Sequence, residues 1–254
     1  MKFASLGSGS RGNAALIEAD DTRILLDNGF AAREVESRLL RLGVAPDSIT
    51  AIVVTHEHQD HIKGVGAFAR RYQLPVWMTV GTQRQERCGD LPDIRLFSSH
   101  QGGFRIGALQ VDPFPVPHDA REPSQFVFSA DGRRLGMLTD IGFYTPHISE
   151  MLQSCDALFL ECNHDVEMLA SGPYPPALQR RIAGRLGHLS NEQAAGFLKQ
   201  FDLGRLQHLI AAHLSEKNNS RSLVRAALSR VSESIDECLC IASQDEVTEL
   251  FEIC

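Results

Sequence analysis

The stretch THEHQDH, residues 55–61, places His56, His58, Asp60 and His61 directly after the apolar run AIVV. Three imidazoles and a carboxylate so close together are costly to keep unless they bind something. In an extended loop, alternate residues face the same way, so His56 and His58 can reach one ion. Asp60 and His61 can turn toward a second ion a few ångströms away. Imidazole nitrogen and carboxylate oxygen suit zinc, and also manganese or iron.

Two ions need more ligands than this loop supplies, and three polar residues at the ends of apolar runs offer them. His118 follows the strand-like LQVDPFPV and is placed to complete the first site. Asp140, at the end of LGMLTD, is a carboxylate placed to bridge two metals. His213 ends LIAAH and is placed to close the second site. Together they make two open coordination shells, the form that catalytic rather than structural metal sites take.

The pattern H-x-H-x-D-H, followed by a separate His, Asp and His in that order, resembles the metallo-β-lactamase fold superfamily over essentially the whole chain. The resemblance implies a four-layer αββα sandwich with a dinuclear site at one edge. His56, His58 and His118 would hold one metal and Asp60, His61 and His213 the other, with Asp140 bridging. Asp27, in ILLD, matches the aspartate that buttresses the histidine loop from behind. The β-lactamase branch itself is disfavoured, because those enzymes usually lack the bridging aspartate and no secretory segment is visible here.

Further stretches point to phosphoesters. GHLSN places His188, Ser190 and Asn191 at the start of a helix and resembles a segment of ribonuclease Z-type enzymes whose histidine helps the leaving group depart. Ser190 or Asn191 also fits a helix cap. Ser215, Lys217 and Asn218 follow His213 and could meet phosphate oxygens, or simply open the next helix. Arg180, Arg181 and Arg185 make a basic stretch on a helix before His188 that could track phosphate or simply be a solvated face, and His164 is read as lining the pocket rather than as a ligand. SLGSGSRGNA, PHDAREPSQF, LECNHDVEML and HLSEKNN together look like the YycJ/WalJ-type subgroup, regarded as metal-dependent nucleases or phosphodiesterases on nucleic acid. The implied chemistry is phosphodiester hydrolysis, with exonuclease action among its forms, by a hydroxide held between two divalent ions. Asp60 would ligate and orient it, and His188 would protonate the leaving oxygen. The rival readings are a thioester or ester hydrolase of the glyoxalase II kind and a non-catalytic, metal-stabilised binding protein.

The bulk properties set the frame. The 254 residues are 43% hydrophobic, enough for one substantial core, and no linker divides them, so residues 1–254 are expected to form one α/β (α+β) domain. Strand-like runs at 13–19, 22–27, 51–55, 108–112, 125–129, 135–139, 156–161 and 207–212 suggest a mixed sheet core. Helical patterns at 32–43, 64–72, 147–154, 176–186, 191–202 and 219–231 lie outside it. A net charge of −7 argues against a generic polyanion-binding surface. Six cysteines without a C-x-x-C pair read as reduced thiols, and no membrane-spanning run is present; a cytoplasmic protein is expected, its oligomeric state open.

One motif points elsewhere. Gly7, Gly9 and Gly12 in GSGSRGN spell the G-x-G-x-x-G of a dinucleotide turn after a strand. A Rossmann unit needs a helix before the next strand, and about ten residues leave no room for the crossover. No nucleotide cofactor is therefore expected. The loop reads as a tight connection at the rim of the metal site, with Ser8, Ser10, Arg11, Asn13 and the backbone N–H groups available to a substrate phosphate.

Overall fold

The computed structural model describes residues 1–254 and shows two seven-stranded sheets packed face to face. The first holds β1 (Lys2–Gly7), β2 (Ala14–Ala19), β3 (Thr22–Leu26), β4 (Ala51–Val53), β5 (Pro75–Thr79) and β6 (Asp93–Phe97). The second holds β7 (Phe104–Ile106), β8 (Leu109–Pro115), β9 (Ser124–Ala130), β10 (Arg133–Leu138), β11 (Ala157–Glu161), β12 (His208–Ala212) and β13 (Leu239–Ile241); β14 (Phe251–Glu252) returns to the edge of the first. Each sheet is antiparallel on one side and parallel on the other. The parallel ladders run β3-β4-β5-β6 and β10-β11-β12-β13.

Neighbouring residues of one strand serve different cores, which explains why the central strands read as unbroken apolar runs. Ile17 and Ile24 point between the sheets, whereas Leu16 and Leu25 point outward. In the second sheet Phe159 and Ile210 point between the sheets and Leu158 and Leu209 point outward. The outward face of the first sheet is covered by α1 (Ala32–Arg41) and by α3 (Val65–Tyr72), which comes directly after the short α2 (Gln59–Ile62); α4 (Val80–Gln85) follows β5. On the second sheet α5 (Pro146–Leu152) precedes β11, and α6 (Val166–Ser171) and α7 (Pro176–Ile182) follow it. Then come α8 (Asn191–Leu198), α9 (Arg221–Ser229) and α10 (Ser234–Cys238). Three cores between four layers make the αββα sandwich that the resemblance implies.

The expected elements lie close to their observed spans. The helix read at 176–186 stops at Ile182, and the one read at 219–231 starts at Arg221, where the Ser220 side chain accepts from Leu223 N–H. The additional strands β5, β6, β7, β13 and β14 are short or lie toward sheet edges, where periodicity is weak. All six cysteines are free, and no helix is long and apolar enough to cross a membrane.

Two glycines hold the histidine loop against the sheet. A Cβ on Gly29 would strike the Asp60 carbonyl, and one on Gly64 would strike the Phe30 carbonyl. Backbone cannot yield as a flexible side chain can. Gly64→Ala is therefore expected to cost about 2–4 kcal/mol and lower Tm by about 4–16 °C. Gly102→Ala, in open space, should leave thermal denaturation unchanged.

Candidate metal centre

Five connections leave the carboxyl ends of parallel strands at the same edge of the sandwich, the edge where open α/β sheets bind ligands. Asp27 follows β3, the histidine loop follows β4, Asp140 follows β10, Glu161 ends β11 and His213 follows β12. Asp27, Asp140 and His213 have φ values of 57°, 55° and 57°, a left-handed conformation that non-glycine residues rarely adopt. Such strain persists where surroundings over-determine the backbone, and here it redirects three strand ends toward one point.

The imidazoles converge there. His56 Nε2 lies 3.0 Å from His58 Nδ1, and His118 Nε2 lies 3.2 Å from the same atom. Burial, with the neighbouring histidines added for His56, holds His56 and His118 below the ordinary histidine range. Beside them Asp60 Oδ2 is 3.5 Å from both His61 Nε2 and His213 Nε2. Asp140 stands between the two groups, Oδ2 3.3 Å from His61 Nε2 and Oδ1 4.0 Å from His118 Nε2. All seven residues expected as ligands thus meet at one locus, with Asp140 between the two groups.

These residues fit divalent cations. Asp140 Oδ2 and His213 Nε2 are buried without any hydrogen-bond partner, an arrangement costly by itself. Nitrogens of His56, His58 and His118 cluster within reach of one ion, as do donors of Asp60, His61 and His213.

Two buried carboxylates orient this set from behind. Asp27, on the first sheet, accepts from Thr55 N–H (2.8 Å) and Thr55 Oγ1 (2.8 Å) and pairs with His61 Nδ1 at 2.8 Å; Thr55 Oγ1 in turn contacts His56 Nδ1 at 2.9 Å. Glu161, on the second sheet, was not singled out in the sequence. Its Oε1 lies 2.9 Å from both His188 Nδ1 and His213 Nδ1 and accepts from Asp140 N–H. Its Oε2 accepts from the N–H groups of Ile141 and Leu189. Burial opposes its ionisation, but His188, His213 and this donor cage hold it well below the usual carboxylate range. The available signal was a lone carboxylate ending the apolar strand ALFLE.

His188 borders the cleft with Nδ1 fixed by Glu161, its ring 5.3 Å from that of His118 and 5.1 Å from that of His213. The cleft holds about 350 Å³. Ser10 and Ser215 line it, together with Arg181 of the basic stretch and with Asn163, Tyr174 and Leu178, whose contribution the sequence did not suggest.

The other expected substrate contacts are turned to other tasks. Ser8 Oγ accepts from His213 N–H and donates to Asn13 Oδ1, so both side chains are buried framework. The glycine-loop N–H groups of Ser8, Gly9, Arg11, Gly12 and Asn13 all have acceptors inside the protein and are not offered to phosphate. Arg11 is exposed and paired with Glu216 and Asp245. Ser190 forms a capping box with Gln193, Asn191 pairs with Asn219, and Asn218 is buried against Ser215. Lys217 is exposed and does not line the cleft.

Comparison with known proteins agrees with this geometry. The model of the "Beta-lactamase superfamily domain" matches residues 22–213. Exodeoxyribonuclease YycJ of Bacillus anthracis is 35% identical over 236 residues, 92% of this chain and 89% of that protein. Exodeoxyribonuclease WalJ of Streptococcus pneumoniae is 33% identical over 233 residues, 90% and 87% respectively. The chain belongs to the beta-lactamase superfamily, in its YycJ/WalJ group. The crystal structure of the metallo-β-lactamase fold protein YhfI from Bacillus subtilis has the same fold, with TM-score 0.74 at 17% identity over 97% of this chain and 98% of that one. Membership makes the chain a metal-dependent hydrolase, and the His/Asp cluster is where divalent metal fits.

Two measurements probe the centre. Glu161→Gln would turn an amide N–H toward groups that donate; it should destabilise the fold by about 3–5 kcal/mol and weaken metal binding about 10–100-fold, read by thermal denaturation and metal titration. The pH dependence has a defined sign. Burial disfavours a charged His213, but Asp140, Asp60 and Glu161 push it up to about 10, and Asp140, Asp60 and Asp27 likewise raise His61. Metal must displace those protons. Affinity should therefore rise with pH through neutrality, with proton release visible by calorimetry in buffers of different ionisation enthalpy.

Proposed function

We propose that this hydrolase is a phosphodiesterase acting on nucleic acid, most consistent with exonucleolytic cleavage of DNA, and that residues 1–254 work as one unit. The observation carrying this reading is the pairing of a complete His/Asp cluster with a separately anchored histidine, His188, at the same cleft. That YycJ and WalJ are named exodeoxyribonucleases supports DNA as the substrate class.

In this reading His56, His58 and His118 would hold one zinc ion and Asp60, His61 and His213 a second, with Asp140 placed to serve either group. When bound, the ions supply Lewis acidity for hydrolysis at neutral pH. The chain does the rest. Asp60 orients the attacking water. Glu161 accepts the Nδ1 proton of His188 and so presents Nε2, which has no partner within the protein, to the departing ester oxygen. Burial works against a protonated His188, but Glu161 beside it raises its pKa, as a donor near neutrality requires. Water adds to phosphorus, the P–O ester bond breaks, and the leaving oxygen receives a proton.

The test is hydrolysis of end-labelled single- and double-stranded DNA and RNA after metal reconstitution, beside bis-p-nitrophenyl phosphate and a glutathione thioester. Cleavage of phosphodiesters with little thioester turnover is expected; the reverse preference overturns the reading. His188→Ala should retain its metal by elemental analysis and lose about two to four orders of magnitude in kcat. Undiminished turnover would remove His188 from proton transfer.

A further inference from the structure

A second cavity of about 490 Å³ lies beside the metal cleft, on the other side of α7. Its walls include Val166, Leu169 and Ala183, with Arg180 at the rim and His164 and Ser190 at the base. His164 is 2% exposed, and its Nδ1 has no hydrogen-bond partner. Burial lowers its pKa, so the neutral ring carries one donor and one acceptor nitrogen, neither engaged within the protein. A buried imidazole without partners is costly unless a ligand completes it.

The two cavities divide near neighbours in sequence between them. Asn163, Arg181 and His188 face the metal cleft, whereas His164, Arg180 and Ser190 face the second cavity. No residue of α7 is buried, so this helix is a partition between two openings. With its side chains a helix is about 10–12 Å across. That is the span of one or two nucleotide steps along a single strand.

We propose that the cavity behind α7 receives a nucleobase of a single-stranded substrate, one or two nucleotides from the phosphodiester at the metal cleft. Val166, Leu169 and Ala183 enclose the faces of the heterocycle, His164 hydrogen-bonds its edge, and Arg180 and Arg181 meet the phosphates spanning the helix. A flat, apolar-faced ligand with polar edges and an adjoining negative charge matches these walls. The exposed Val166, at 52% exposure, gains cover when the base docks. This assignment rests on the nucleic-acid reading of the site, and its test separates the two.

The test is anisotropy of a labelled ten-nucleotide single-stranded DNA and of the same strand with abasic sites, titrated with the metal-free full-length protein. Ala183→Phe and, as a second variant, Ala170→Trp add bulk to the cavity from exposed positions. Either should weaken the intact strand about 5-fold or more, the low end of what one base contact contributes, since aliphatic walls replace an aromatic platform here, and leave the abasic strand unchanged. Hydrolysis of bis-p-nitrophenyl phosphate by the metal-loaded variants should equal that of the parent. If neither variant affects the intact strand, or if both strands weaken equally, no base occupies the cavity. Base-dependent binding that the variants remove, in a protein that cleaves no phosphodiester, would keep the cavity and overturn the catalytic reading instead.

Discussion

Two carboxylates, Asp27 and Glu161, hold the centre together from opposite sheets. Each is buried, and each accepts hydrogen bonds from backbone N–H groups and from imidazole Nδ1 atoms. An ionised group in such surroundings is tolerable only because its donors are fixed, and fixed donors mean fixed histidines. Asp27 sets His61 directly and His56 through Thr55. Glu161 sets His188 and His213 and, through backbone amides, the segment bearing Asp140. The centre thus depends on the two sheets keeping their mutual position, which the apolar core between them supplies.

That dependence explains the left-handed backbone at Asp27, Asp140 and His213. A strand continued normally would carry these side chains past the edge. Turning each back costs on the order of 1–3 kcal/mol, and the surrounding ladders and buried contacts offset it.

Much of this was legible in the sequence, because the informative residues stand at strand ends. The histidine loop, His118, Asp140 and His213 each follow an apolar run, and an apolar run is the clearest local mark of a buried strand. Reading failed where polar side chains serve the backbone. Ser8, Asn13, Asn191 and Asn218 are polar residues near the centre that look like ligand contacts, yet their partners lie inside the protein, assigned by folding across 28 residues for Asn191 and 205 for Ser8. Glu161 failed in the opposite sense. A carboxylate at the end of ALFLE gives no local sign that five donors surround it. Arg181 was read only as one of a basic stretch, because a short helix burying nothing has no periodicity that fixes which way it faces, and Tyr174, in the connection before that helix, was missed.

That short helix has an evolutionary reading. The residues that build the centre are tied into the sheets, so changing any of them disturbs the fold. Those of α7 are buried in neither core, so their side chains can change at less cost to the sandwich, although Arg181 also pairs with Asp119 beside the histidines. Substrate preference and catalytic power therefore reside in separately mutable parts of the chain. A lineage can explore new polymers or ends by rewriting seven residues while the hydrolytic machinery stays as it is.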